Sequence, residues 1–188
     1  MTTLNALRAR LRTRLEEATP AVWTDTELDE CLTGALEQYS DRYPAEIESV
    51  VAVGNGDKSV ALPAGAFAVR RVTLASGEVV PRRGAPSGSI AGERLAWEVF
   101  AGLLRFSRPL AAQNVRVWHL SPQSVTTLPA ADEGLVVLLA VAAAVDARAI
   151  QNAKRGIPTD HDLLNRARAA AESALSERSR RLRASVVG

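Results

Sequence analysis

The side chains best suited to chemistry in this sequence are few and widely separated. There are two histidines, His119 and His161, and a single cysteine, Cys31. His119 follows Trp118 in a segment of alternating apolar residues, where it is either a general base or metal ligand, or a strand side chain at the rim of a sheet. No nucleophile motif accompanies it, which favours the rim position. We therefore predict no catalytic residue.

The residue types of Asp160-His161-Asp162 suggest a metal site, but three consecutive positions are not the spacing that a metal site needs. Consecutive residues of a helix point about 100° apart, so these side chains cannot converge on one ion. Helix capping by Asp160 explains the acidic residues better. Cys31 falls on the apolar side of a predicted helix, where we expect a buried core thiol rather than a nucleophile. The sequence thus predicts no metal and no cofactor.

Glycines and paired acids are also better explained by structure than by chemistry. Gly54-Asn55-Gly56 is typical of a hairpin turn rather than of a nucleotide loop. The glycines of residues 81–92 are followed by no Gly-Lys-Ser/Thr and by no helix start, so they do not form a phosphate cradle. The acids Asp25/Glu27 and Asp29/Glu30 occupy positions suited to helix capping and to solvent.

Two basic regions raise the question of nucleic-acid binding. Arg8, Arg10, Arg12 and Arg14 alternate, and on a helix they flank the leucines, with Arg12 placed to pair with Glu16. This favours a solvated face over a DNA-binding groove. The net charge of +2 is also small for a dedicated nucleic-acid binder.

The second basic region lies near the C-terminus. Cations in the last turn of a helix interact favourably with its macrodipole. Alternatively, this charged helix end and the apolar residues after it dock onto an acidic partner surface. The candidate docking residues are Arg178, Arg180, Arg181, Leu182, Arg183, Val186 and Val187.

The hydrophobic pattern predicts helices at both ends of the chain. Leucines at helical spacing predict a first helix over residues 3–17, ended by Thr19-Pro20. Thr24 as N-cap and Glu27 as its capping-box partner begin a second helix, which Pro44 closes. The aromatic content of 4% indicates a core of small aliphatic side chains, which suits closely packed helices.

The return to helix follows Leu128-Pro129. Asp132 is the predicted N-cap of a central helix that contains the apolar run 135–145 and is broken by Gly156 and Pro158. Eleven apolar residues are too few to span a bilayer. Thr159 or Asp160 is the predicted cap of a final helix. Its predicted inner side comprises Leu163, Leu164, Ala167, Ala171, Ala174, Leu175 and Leu182.

The middle of the chain alternates with the period of a strand. Strands ending at Val53 and beginning at Val60 are predicted to form a hairpin around the Asn-Gly turn. Arg70-Arg71 interrupts the next predicted strand. Further strands are predicted over residues 67–74, 95–100, 103–106 and 115–118, with a long exposed loop at 81–92. The strands 95–100 and 103–106 are predicted to form a short hairpin around Ala101-Gly102.

These elements define an α+β fold, a helical bundle of two N-terminal and two C-terminal helices with a small, mostly antiparallel sheet between them. We predict a single domain over residues 1–188. Its helical core covers 1–45 and 130–183, its β-rich insertion 46–129, and its C-terminal tail 184–188. No secretory signal is visible and the lone cysteine cannot form an internal disulfide, so we expect a soluble intracellular protein.

The order of the local motifs resembles a known family. The motifs are Trp23-Thr24-Asp25 before Leu28, then Ala35, Tyr39 and Pro44, Val60-Ala61-Leu62-Pro63, Leu103-Leu104-Arg105-Phe106 with Pro109, Val115-Arg116-Val117-Trp118, and Thr127-Leu128-Pro129 before an alanine-rich helix. Together they span roughly residues 1–155. This order is similar to that of the head–tail connector proteins (adaptor or head-completion proteins) of tailed bacteriophages.

The resemblance implies a structural role rather than an enzymatic one. Such subunits form a homo-oligomeric ring, commonly dodecameric, beneath the portal protein at the head–tail junction of the virion, after synthesis and assembly in the host cytoplasm. The ring extends the DNA channel without sequence-specific binding, and a tail or stopper protein attaches to it; no membrane is involved. The alternatives are a nucleic-acid-binding helical regulator that uses its Arg-rich helix ends, and an enzyme with a site in the sheet.

Overall fold

The computed structural model describes residues 2–17, 22–83, 95–158 and 161–187, with side chains up to residue 180 in the last range. The chain divides into two compact units. The helical unit comprises Met1–Tyr43 and Gln123–Gly188, and the β unit comprises Pro44–Pro122. That the chain acts as a single domain stays a prediction.

Both predicted N-terminal helices are present, and the second begins where its capping residues predict. Helix α1 spans Leu4–Arg14 and helix α2 spans Asp25–Arg42. The Thr24 hydroxyl accepts a hydrogen bond from the Glu27 backbone N–H, and the Glu27 carboxylate accepts one from the Thr24 N–H, at 3.2 and 2.8 Å. The capping box is therefore confirmed. The predicted stop at Thr19-Pro20 lies outside the described residues.

The C-terminal helices are joined at a glycine with a left-handed backbone. Helix α3 spans Glu133–Lys154, after a short 3-10 helix at Ala130–Asp132. Gly156 has φ +69° and donates its N–H to the Ala153 carbonyl at 3.1 Å, which ends α3 as predicted. Helix α4 spans His161–Val187. The predicted cap at Thr159 or Asp160 lies outside the described residues.

Two predictions about α4 are wrong. The expected tail at 184–188 is helical as far as Val187, since no glycine or proline breaks the helix before Gly188. Leu163, placed on the inner side by its spacing, is exposed near the start of α4, whereas Ala171 and Leu175 are buried. Leu164 and Ala167 are half-buried, so the inner side of the helix excludes Leu163 but includes its neighbour.

The core of the helical unit forms around α3, which contacts each of the other helices. This confirms the central position predicted from its apolar run. Leu7 and Leu11 of α1, Leu28 and Leu32 of α2, and Val136 of α3 are fully buried. Burial of each such side chain is worth about 1.5–3 kcal/mol relative to exposure. Packing therefore stabilises helices that would be marginal in isolation.

The β unit contains two antiparallel sheets rather than the one expected. Its strands are β1 (Ala45–Val53), β2 (Ser59–Ala61), β3 (Ala68–Thr73), β4 (Val79–Val80), β5 (Trp97–Phe100), β6 (Leu103–Phe106) and β7 (Gln113–Ser121). The larger sheet has the order β1-β7-β3-β4, and the smaller has the order β2-β6-β5. Buried residues of both sheets form one apolar cluster, which includes Val72, Trp97, Leu104 and Val117. The α+β fold class is confirmed.

The predicted hairpin around Gly54-Asn55-Gly56 is wrong, although the turn itself is present. Gly56 has φ +83°, and the Asp57 carboxylate accepts a hydrogen bond from the Gly54 N–H at 3.0 Å. The strands on either side belong to different sheets: β1 pairs with β7 over nine residues, and β2 pairs with β6 over three. Strand β7 offers β1 a partner of equal length, which β2 cannot.

Other turn predictions are confirmed. The pairing of β3 with β7 shifts register between Val69 and Arg71, where the Arg70-Arg71 interruption was expected. Strands β5 and β6 form a hairpin whose turn, Ala101-Gly102, has φ +49° and +75°, as a type I′ turn requires. Residues 84–92 of the predicted 81–92 loop lie outside the described residues.

Candidate functional site

His119 is buried in the β unit and not at the rim of its sheet. Its side chain is 1% exposed, on strand β7. Nε2 lies 2.9 Å from the Ser49 hydroxyl and Nδ1 lies 3.1 Å from the Ser121 hydroxyl. Both ring nitrogens are thus engaged by serines, and neither bond is to the carboxylate that a Ser–His–Asp relay requires. The geometry indicates a buried polar group satisfied by its neighbours.

Cys31 is half-buried beside a groove in the helical unit, rather than fully buried as expected. The groove has a volume of about 400 Å³ and is lined by Trp23, Glu27, Glu30, Cys31, Gly34, Ala143, Ala147 and Gln151. Burial raises the pKa of the Cys31 thiol, and Glu30 and Glu27 raise it further. A raised pKa keeps the thiol protonated, which opposes nucleophilic chemistry.

No metal centre is found in the described part of the chain, where no group of three or more His, Cys, Asp or Glu side chains could hold an ion. Asp160 of the Asp160-His161-Asp162 motif lies outside that part. His161 and Asp162 are both exposed in the first turn of α4.

Within residues 2–17, 22–83, 95–158 and 161–187, no helix is long and apolar enough to cross a membrane.

The arginines of α1 are used inside the helical unit. Arg8 pairs with Asp25 and with Asp29, in the latter case at 2.9 Å. Arg12 pairs with Glu17 and Asp25 at 2.8 and 2.7 Å. The hydrogen bond from Arg12 holds the pKa of Asp25 below its ordinary value. These guanidinium groups therefore already have carboxylate partners and offer little attraction to a phosphate backbone.

The predicted pair between Arg12 and Glu16 is wrong. Glu16 has φ +57°, a left-handed backbone conformation just after α1 ends. The helical spacing that would bring the two side chains together is lost there. Glu17 takes the place of Glu16, because its carboxylate lies 2.8 Å from Arg12.

Arg10 reaches the start of α3. Its guanidinium pairs with the buried carboxylate of Glu133, which also accepts a hydrogen bond from the Thr2 hydroxyl. The Thr2 hydrogen bond, followed by the charge of Arg10, holds the pKa of Glu133 below its ordinary value. Of the alternating arginines, Arg8, Arg10 and Arg12 thus connect α1 to other parts of the helical unit.

The first residue of the candidate docking cluster, Arg178, is turned into the helical unit. Its guanidinium lies 2.8 Å from the Asp132 carboxylate, which the Tyr39 hydroxyl also contacts at 2.7 Å. Asp132 is 4% exposed. The Arg178 guanidinium also lies 5.9 Å from the centre of the Tyr43 ring. We call Tyr39, Asp132 and Arg178 the buried triad.

The buried triad overturns the predicted role of Asp132. Its side chain makes no capping hydrogen bond to α3, because the carboxylate is directed towards Tyr39 and Arg178. Burial, followed by the hydrogen bond to Asp132, raises the pKa of Tyr39, so the phenol stays protonated as the donor. The triad links α2, the start of α3 and α4.

The rest of the cluster is less constrained where it is described. The Arg180 side chain is 79% exposed, and its nearest ion-pair partner is Glu177 at 3.9 Å on the same helix. An exposed pair of this kind contributes little to stability. The side chains of Arg181, Leu182, Arg183, Val186 and Val187 lie outside the described residues.

Acid should weaken the start of α2. The backbone N–H of Thr24 hydrogen-bonds the Glu27 carboxylate and holds its pKa below the ordinary 4.5. A lowered pKa in the folded state contributes stability above pH 4.5, and this is lost as the pH falls through the folded-state pKa. We expect Glu27→Gln to reduce the loss of unfolding free energy on acidification, measured by urea titration from pH 7 to pH 3. Glu37→Gln, exposed on the same helix, is the control and should retain the wild-type acid response.

Comparisons with known proteins show little. No family model matches the sequence. No curated protein matches it. Among solved structures, the chain is similar to a chain of the neck of an empty GTA particle computed with C6 symmetry, at 19% sequence identity and a TM-score of 0.27. The alignment covers 75% of this chain and 79% of the other.

The residues missed by sequence reasoning are those connected by long-range contacts. Asp132 and Tyr39 are 93 positions apart, and Ser49 and His119 are 70 apart. Asp132 stands directly before the central helix, and that position predicts an N-cap. Nothing in the local sequence indicates that Tyr39 and Arg178 are the partners of the Asp132 carboxylate.

Proposed function

We propose that this chain is a structural subunit of a phage-like particle, located at the head–tail junction and not an enzyme. It would assemble as a ring beneath the portal protein, commonly of twelve copies in the family that the sequence resembles. The ring would extend the DNA channel and present a surface to a tail or stopper protein.

The observation that carries the proposal is the position of the motifs in the fold. Trp23-Thr24-Asp25 forms the capped start of α2, and Val60-Ala61-Leu62-Pro63 follows the path of β2 into the next turn. Leu103-Leu104-Arg105-Phe106 forms β6, and Val115-Arg116-Val117-Trp118 lies within β7. Both strands precede α3, but they belong to different sheets. Thr127-Leu128-Pro129 lies directly before the short 3-10 helix that leads into α3. These motifs of the resemblance therefore coincide with elements or element boundaries of this chain, which supports the proposal.

The charge distribution favours this role over DNA binding. A subunit that lines a channel must let DNA slide, so strong attraction to phosphate would oppose its function. The pairing of Arg8, Arg10 and Arg12 with carboxylates supports a channel protein over the alternative, a regulator that uses its Arg-rich helix ends. A steep salt dependence of affinity for duplex DNA would favour the regulator.

Residues 178–187 remain our candidate portal-docking segment. Its members are Arg178, Arg180, Arg181, Leu182, Arg183, Val186 and Val187. Because Arg178 pairs with Asp132, we expect it to hold α4 against the helical unit. Arg180, which is exposed, and the residues after it would then contact an acidic portal surface.

Co-sedimentation with the cognate portal protein tests the proposal. We expect the wild-type chain to sediment with the portal and Arg180→Glu with Arg183→Glu to lose at least about tenfold in affinity, the effect of about 1.4 kcal/mol. Glu172→Lys, a charge reversal at an exposed position earlier on α4, serves as the control. Equal binding by all three chains would refute the docking segment, and no binding by the wild type would refute the proposed function.

A further inference from the structure

Strand β1 is a long strand at one end of the larger sheet. It spans nine residues, all paired with β7 in unbroken register. In the described residues no other strand pairs with it. An edge of this length presents a row of backbone donors and acceptors that another strand can use.

The backbone hydrogen bonds show which residues of β1 face outward. The Leu74 N–H donates to the Glu78 carbonyl at 2.9 Å, so the backbone of Leu74 faces β4. Backbone direction alternates along a strand, so the preceding residue, Thr73, faces β7, where it pairs with Arg116. Arg116 therefore faces β3, and its neighbour Val117 faces β1.

The same alternation continues into β1. Val117 pairs with Ser49, so the backbone groups of Ser49 are bonded to β7. The N–H and C=O groups that point to the free edge are then those of Glu46, Glu48, Val50 and Ala52. Any strand added to this edge would bond to these residues.

Among the described residues, burial decreases from β7 to β1 at this edge. On β7 the core-facing Val115, Val117 and His119 are fully buried. On β1 the core-facing Ile47 and Val51 are only half-buried. On the opposite face Val50 is 62% exposed. One more strand would complete the burial of the core-facing pair.

The remaining edges of the two sheets are less available. Strands β2, β4 and β5 span three, two and four residues. The carbonyl of Val80 on β4 already accepts a hydrogen bond from the Trp97 indole N–H at 2.9 Å. By contrast, β1 has neither a proline nor a bulge, two of the devices that usually protect an edge, and its charged residues are Glu46 and Glu48.

A second copy of β1 fits this edge in one antiparallel register. We consider a two-fold axis at Ser49. The facing pairs are then Glu46 with Ala52, Glu48 with Val50, and Ile47 with Val51. Every outward N–H and C=O of residues 46–52 is paired in this register, and the half-buried Ile47 and Val51 cover each other across the axis.

Charge selects the same register. A shift that brings Glu48 opposite its own copy places two carboxylates together, which is unfavourable. The opposite shift pairs Val50 with its copy but leaves Glu46 beyond the end of the strand. With the axis at Ser49 each glutamate faces an apolar residue, and Glu48 keeps Arg116 at 3.7 Å on its own chain.

We propose that the free protein forms a two-fold dimer through antiparallel pairing of β1 with β1 of a second copy, centred on Ser49. A two-fold contact cannot repeat around a ring axis. The contact is therefore separate from the lateral contacts of the proposed ring, and its test does not depend on the portal.

Blocking the outward N–H of Val50 tests the edge. Proline at this position removes a donor that β7 does not use, so the fold is retained. We expect Val50→Pro to weaken the dimer about thirtyfold, the effect of about one hydrogen bond lost on each copy. Val50→Thr keeps the N–H and should dimerise like the wild type. Sedimentation equilibrium measures both, and a wild-type chain that is monomeric at its highest soluble concentration overturns the proposal.

Disulfide trapping tests the register independently, in a Cys31→Ala background. Ile47→Cys alone and Val51→Cys alone should give little cross-linked dimer, because neither residue faces its own copy. Mixing the two variants should give a disulfide-linked heterodimer, since facing residues in a non-hydrogen-bonded pair lie close enough for the bond. If each cysteine variant alone cross-links as much as the mixture of the two, the proposed register is wrong. If Val50→Pro leaves the dimer affinity unchanged, the dimer does not form through this edge.

Discussion

Asp132→Ala should lower the free energy of unfolding by about 3 kcal/mol, the lower end of the range for breaking a buried charge pair. The carboxylate is buried and holds both the Tyr39 hydroxyl and the Arg178 guanidinium, at 2.7 and 2.8 Å. Its removal leaves a phenol and a cation without their partner. The lower end applies because Arg178 remains 27% exposed and is partly solvated. Urea denaturation measures the change.

Control variants show whether the loss of stability comes from the buried triad or from removing any negative charge. Asp41→Ala removes an exposed acid from the same unit and should change stability by less than about 0.5 kcal/mol. Arg178→Ala combined with Asp132→Ala should cost less than the sum of the single changes, because the two residues share one interaction. Additive losses would show that Asp132 and Arg178 are not coupled.

Leu175→Ala should destabilise the protein by about 3 kcal/mol, as is typical of a leucine removed from a packed core. Leu175 is 1% exposed and is the most buried residue of the described part of α4. Leu163→Ala on the same helix is the matched control, because Leu163 is 47% exposed and should cost less than about 0.5 kcal/mol.

The same pair of variants bears on the docking segment. If α4 must be packed to present residues 178–187, Leu175→Ala should also weaken portal binding, and Leu163→Ala should not. Thermal unfolding and co-sedimentation measure the two effects. If Leu175→Ala destabilised the protein no more than about 0.5 kcal/mol, the amount expected of Leu163→Ala, α4 would not pack through the face that contains Leu175.

Local signals in the sequence predicted the local structure well. The capping box at Thr24 and Glu27, the end of α3 at Gly156 and the interruption of β3 beside Arg71 each depend on a few neighbouring residues. Such features are determined by backbone geometry and short-range hydrogen bonds, which the residue types indicate directly.

Long-range pairings were not predictable in the same way. The Asn-Gly turn between β1 and β2 is a strong local signal for their pairing, but β7 supplies β1 with a longer partner from 60 or more positions away. The local sequence around His119 predicts a rim position, because it does not show that two serines contact both ring nitrogens. Asp132 has the residue type of a cap, yet a distant tyrosine and arginine use its carboxylate.

The central claim is that this chain is an assembly subunit that adds to a portal. Electron microscopy of the purified protein mixed with its cognate portal tests it most directly. The account predicts an additional ring of density coaxial with the portal channel, absent when the portal is imaged alone. A portal that remains unchanged, with this chain free in the background, would contradict it.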